Sequence, residues 1–255
     1  MFPQATIEEI IESERSMLVT AKNRYGQYHA HARSVSVFLS QCISAVDHDR
    51  MMFGRLHAHM KKHHVLALFS TLRLHKVQAM MDLRQVLEAG ASGAFAIANP
   101  DQHHFADADD RGILDPTSEL TRKRYAWLNE HYRDKSQWIK DTKERINSSA
   151  AHANIVSADS VFRVTDAGDA VNTPYFDVED EYFVKADLWL IASVGLTLMD
   201  LFYGVNQSCN VIGFYAGFPD IIGQMASDNS ALLAEIKSTE RFQKAMKKYG
   251  LPEAS

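Results

Sequence analysis

The sequence predicts a mainly α-helical fold, a bundle of long helices with one small β-hairpin inserted. Three observations carry this reading. Glycine and proline are scarce, at twelve and six in 255 residues, where a turn-rich β-fold needs many. Apolar residues recur in steps of three and four from Ile7 to Val46, the spacing of one helix face. The run Leu188 to Met199 is apolar nearly all round, as a central bundle helix is. A chain of this length can bury a large core, and its 46% hydrophobic and 23% charged content is that of an ordinary globular protein. The expected organisation is one domain: residues 1–215 form the bundle, and 216–255 add short peripheral helices.

The first helix starts at Thr6, with Glu9 three residues on, which is a capping box. Its seam (Ile7, Ile11, Leu18, Ala21, Tyr25, Tyr28, Ala32, Val35, Leu39, Cys42, Val46) is broken only by Glu14. It implies a helix of roughly 60 Å, with Gly26 as a point of kinking and Gly54 as its break. A seam so long is hard to bury within one chain, so a homodimer through this helix is expected. A second helix is expected from near His63 to Ala98, closed by Asn99 and Pro100. After a polar loop, Asp115 followed by Pro116 signals a third helix, running to about His152. Residues 160–178 read as a small hairpin around an Asp-Ala-Gly-Asp turn. A fourth helix follows over about 179–206, then two short amphipathic ones at about 219–227 and 230–249.

Charge narrows the function classes. A net charge of −5 argues against a dedicated DNA-binding protein, although residues 122–145 are locally basic. The N-terminus lacks the features of a signal peptide, and Leu188 to Met199 is too short to span a bilayer. A cytoplasmic protein without membrane contact is expected. Cys42 and Cys209 sit in apolar surroundings and read as buried free thiols of a reducing compartment.

The usual catalytic and nucleotide-binding signatures do not occur: no GxGxxG, GxxxxGK[ST], CxxC, HExxH or GxSxG, and no ExxH pair. His57, His59, His63 and His64 lie close together, and His59 and His63 have the i,i+4 spacing of a shared metal. An all-imidazole set with two lysines inside it reads instead as a solvated, basic helix end. Asp107, Asp109, Gly112 and Asp115 match four places of a calcium loop, but Arg111 and Ser118 occupy places that need oxygen ligands, so a plain connection is expected. No metal and no cofactor follow.

Two sets of residues point to a site. Gln78, Met81, Arg84, Gln85 and Glu88 form a hydrophilic stripe on the otherwise apolar second helix, and Arg84 and Glu88 are spaced to pair. That pair reads either as a pocket or as an ion pair that fixes helix register. Arg145 and His152, six residues apart near a helix end, resemble the RxxxxxxH form of the HEPN ribonuclease motif, with Ile146 where a polar residue commonly follows the Arg. The resemblance implies that His152 acts on the ribose hydroxyl and that Arg145 stabilises phosphoryl charge, with RNA as partner. More broadly, residues 65–205 are similar to bacterial helical families of unknown function grouped loosely with HEPN-like and abortive-infection proteins. That similarity rests on Leu83-Arg84-Gln85-Val86-Leu87-Glu88 and on Ser148 with His152. It implies a bundle in which Arg84, Glu88 and His152 converge. The function read from all this is a non-catalytic or regulatory helical protein of a stress or phage-defence module, with a metal-independent ribonuclease using Arg145 and His152 as the alternative.

Overall fold

The computed structural model describes residues 5–149, 162–164, 171–172 and 174–249. The described fold is a mainly α bundle: α1 (Ile7–Gln41), α2 (Met51–Leu72), α3 (Lys76–Ala98), α4 (Leu120–His131), α5 (Arg133–Ser149), α6 (Glu181–Cys209), α7 (Phe218–Ser238) and α8 (Glu240–Tyr249). Short antiparallel strand pairs join them: β1 (Ile43–Val46) with β6 (Ile212–Phe214), β2 (Ala106–Ala108) with β3 (Leu114–Pro116), and β4 (Arg163–Val164) with β5 (Val171–Asn172). The β4–β5 pair is the hairpin expected near residues 160–178; its turn lies outside the described residues.

The capping box forms as its residues require. Thr6 N donates to Glu9 Oε2 over 2.7 Å, and Glu9 N donates to Thr6 Oγ1 over 3.2 Å. α1 kinks at Gly26, whose φ of 51° and ψ of −124° only glycine adopts without strain. It ends at Gln41 rather than running to residue 46, because Ile43–Val46 leaves the helix to pair with β6. Most of the α1 seam is buried inside this chain: Ala21, Tyr25, Tyr28, Ala32, Val35 and Leu39 pack against α6, α2 and α7. The seam's length alone therefore requires no second copy; the turns carrying the exposed Ile7 and Ile11 are all it leaves for one.

The helix expected from His63 to Ala98 is two. α2 passes through Gly54 without a break, and the chain turns at Arg73–His75, where Leu74 takes φ of 58°. Glu14, the charged residue that interrupts the α1 seam, holds this turn. Its Oε2 lies 3.2 Å from Arg73 Nη1 and its Oε1 2.9 Å from His75 Nε2. Burial alone would raise the Glu14 carboxyl, but His75 and Arg73 hold it below the ordinary carboxylate range. The third expected helix also divides. Asp115 and Pro116 lie in β3 instead of opening a helix, α4 begins at Leu120, and the chain breaks again at Tyr132. The two C-terminal helices are confirmed with a different boundary, at Thr239.

The core centres on α3 and α6, joined by small residues. A Cβ on Gly90 would lie 2.5 Å from Leu198 Cδ1, and one on Gly195 2.8 Å from His64 Nε2 and 2.9 Å from Val35 Cγ1. α6 is long and apolar enough to cross a membrane by length and composition, but 67% of its most apolar window is buried against its neighbours. α7 belongs to the same core, with Phe218, Ile222, Leu232 and Ile236 buried.

Candidate anion-binding site

The hydrophilic stripe of α3 faces outward. Gln78, Met81 and Gln85 are exposed, and the Arg84 and Glu88 side chains are 37% and 34% exposed. Neither the guanidinium nor the carboxylate of this pair is drawn into the apolar interior. The apolar residues Ala79, Leu83, Val86 and Leu87 fill the inner face, and the charged pair sits on the rim. The pair itself forms, with Arg84 Nε 3.3 Å from Glu88 Oε1.

What completes the rim comes from α4 and α5. Lys143 of α5 places Nζ 2.8 Å from the same Glu88 oxygen. Burial would raise the Glu88 carboxyl, but Lys143 and Arg84 hold it below the ordinary carboxylate range, so it is ionised at neutral pH. The deeply buried cation is Arg124 of α4, only 4% exposed. Its Nη1 donates to the Glu88 carbonyl over 3.1 Å and to Ser92 Oγ over 2.6 Å, while its Nε has no hydrogen-bond acceptor. Burial pulls the Arg124 pKa down, yet a guanidinium keeps its charge in proteins.

Three cations then surround one phenol ring. Arg124 Cζ lies 4.7 Å from the Tyr125 ring centroid, Lys140 Nζ 5.3 Å and Lys143 Nζ 5.5 Å. Lys143 also donates to the Tyr125 hydroxyl over 3.4 Å. Lys140 is steadied by Asn129, whose Oδ1 accepts from Lys140 Nζ over 2.8 Å and from Ser136 Oγ over 2.7 Å. The ring's negative face attracts each cation, but like charges this close repel one another. Among the described residues, Glu88 is the one carboxylate paired with the cluster, against Arg84, Arg124, Lys140 and Lys143. Such a set gains most when a further anion enters.

Of the expected site residues, Arg84 and Glu88 come together here. Arg145 leaves α5 about 200° round from Lys143, since residues two apart on a helix face nearly opposite ways. Its Nη2 donates to the buried Thr142 Oγ1 over 3.1 Å. His152 lies outside the described residues. Arg124, Tyr125, Lys140 and Lys143 were missed as individuals, although the basic stretch 122–145 contains them all.

The remaining candidates resolve separately. In the stretch that matched a calcium loop, Asp109 Oδ1 accepts from Arg111 N over 2.9 Å and Ile113 N over 2.8 Å, turning the β2–β3 hairpin with Gly112 at φ 76°. Among the histidines, His57 is buried and stacks on Phe53, with ring centroids 5.6 Å apart. His64 is fully buried, and its Nε2 bonds Ile191 O over 3.0 Å while Nδ1 meets Ser36 Oγ over 3.1 Å. Burial pushes both imidazoles down to about 4. Cys42 is buried, its thiol pushed up to about 12, whereas Cys209 is only partly covered. Compared with known protein families, curated proteins and solved structures, the chain matches none of them.

Proposed function

We propose that this protein is a non-catalytic binding module that engages RNA through the cationic cage around Tyr125. One observation carries the reading: a buried guanidinium with an unbonded Nε stands beside two lysines around a single aromatic ring. Phosphate oxygens suit the cations, and an unpaired base suits the phenol face, which is how single strands are held. The overall charge of −5 limits the footprint to a few phosphates. A regulatory role in a bacterial stress or phage-defence module is the setting that the family resemblance implies.

Fluorescence anisotropy with a labelled single-stranded RNA, in EDTA and over a salt series, tests this. Three cations engaged at about 0.7 each give a log–log salt slope near −2. Lys140→Ala should flatten the slope by about 0.7 and weaken binding, because Lys140 has no role in holding Glu88. An unchanged slope in that variant, or no binding at all, removes the reading. The same samples run on a gel decide the ribonuclease alternative. Cleavage of total tRNA in EDTA that is lost in His152→Ala would transfer the function to Arg145 and His152.

A further inference from the structure

His59 and His63 stand one turn apart on α2, with ring centroids 4.3 Å apart and planes tilted by 52°. We propose that they chelate a divalent transition-metal ion that prefers nitrogen, Zn2+ or Cu2+, with Asp82 of α3 fixing the geometry. This rests on none of the residues of the proposed RNA site and stands or falls without it.

Asp82 is the observation that the sequence pattern of histidines could not supply. It is 4% exposed, and both its oxygens are engaged: Oδ1 lies 2.8 Å from His63 Nδ1, and Oδ2 accepts from Gln78 Nε2 over 3.0 Å. Asp82 Oδ1 accepts from His63 Nδ1 over 2.8 Å, which places the ring proton on Nδ1 and leaves the lone pair of His63 on Nε2. A carboxylate behind one ring nitrogen, freeing the other, is how metal-ligating imidazoles are oriented and made more basic. Rings this close can bring two nitrogens to one ion at about 2 Å from each. The two lysines do not obstruct it. At 100° per residue Lys61 leaves the opposite side of α2, and Lys62 leaves the flank beyond His59. His59 is exposed and His63 part-buried, so an ion reaches them from solvent. Among the described residues no group of three or more His, Cys, Asp or Glu could hold a metal, so water or an incoming ligand fills the rest of the shell. That leaves positions open for exchange, with Cu2+ held more tightly than Zn2+.

Titration calorimetry of the tag-free full chain with ZnCl2, and separately with CuSO4, tests the proposal. One equivalent should bind, His59→Ala and His63→Ala should each abolish it, and His103→Ala should change nothing. Asp82→Asn should weaken binding about 10- to 100-fold. Should Asp82→Asn fail to fold, the exposed His59 decides alone, with circular dichroism confirming that His59→Ala is folded. Zn2+ should also raise the melting temperature of the wild type and not of His59→Ala. Binding that survives His59→Ala, or no binding by the wild type, overturns the proposal.

Discussion

His64 and Arg124 are both polar side chains sunk into the bundle, and they differ in what surrounds them. His64 joins α1, α2 and α6 with each ring nitrogen bonded, one to Ser36 and one to the Ile191 carbonyl. Arg124 leaves its Nε unbonded, and two lysines stand near its aromatic neighbour. A buried group that is fully bonded and neutral contributes to the fold and asks for nothing more. A buried charge left partly unbonded among like charges costs stability, and its presence points to a ligand. Burial alone therefore does not mark a site. What singles out Arg124 is incomplete bonding of a buried charge with further cations beside it.

Substitution separates the two most strongly. His64→Ala opens a cavity and removes the bond to the Ile191 carbonyl, so it should cost about 3–5 kcal/mol in urea unfolding. Arg124→Met, by contrast, should cost less than His64→Ala, about 1–2 kcal/mol, since it gives up the bonds to Ser92 and the Glu88 carbonyl but removes a buried charge from a mostly cationic cluster and keeps the volume. It should nevertheless abolish the RNA binding proposed above. Equal losses of stability in the two variants would erase the distinction between them.

Acid should act on the His64 side of the comparison. His57 and His64 titrate near 4 when folded and near 6.5 when unfolded, so between those values the unfolded chain binds more protons. Their contribution is complete above about pH 6.5 and is lost as pH falls toward 4, by about 3 kcal/mol for each. Asp187 works in the opposite sense between 3.8 and 6. Burial raises it to about 6 against the pull of Lys76, so it favours folding at the acid end and offsets part of the loss. Denaturant midpoints measured from pH 7 down to 4.5 should fall, and a flat profile would mean that the buried histidines are solvated.

Packing gives a smaller test. Gly195→Ala places a methyl against His64 and Val35 and should cost about 1–3 kcal/mol. Gly223→Ala, which meets nothing within 4 Å, should cost nothing measurable and serves as its control.

The parts of the fold that the sequence announces are those set by local chemistry. Thr6 with Glu9, and Asn99 before Pro100, end helices through bonds made within four residues, and both boundaries hold. The turn at 73–75 has no glycine or proline to announce it. Leu74 is held at positive φ by a tertiary clamp from Glu14, some sixty residues earlier, and by Lys76 N donating to Asp177 Oδ2 over 2.6 Å. Asp115-Pro116 misleads for a related reason, because pairing with Ala106 and Asp107 outweighs a local helix-start signal. The site follows the same rule. Arg84 with Glu88 is an i,i+4 pair and is legible; Lys143, Arg124 and Asp82 acquire their roles only when other helices are laid beside their own.

The Glu14 clamp has a mechanical consequence. The opening turns of α1, where Ile7 is 68% exposed, look like a dispensable arm, yet that arm grips the corner from which α3 departs. Anything that trims the arm, docks on it or lifts it away would loosen the corner and reach both the histidine face and the arginine rim along a single rigid rod.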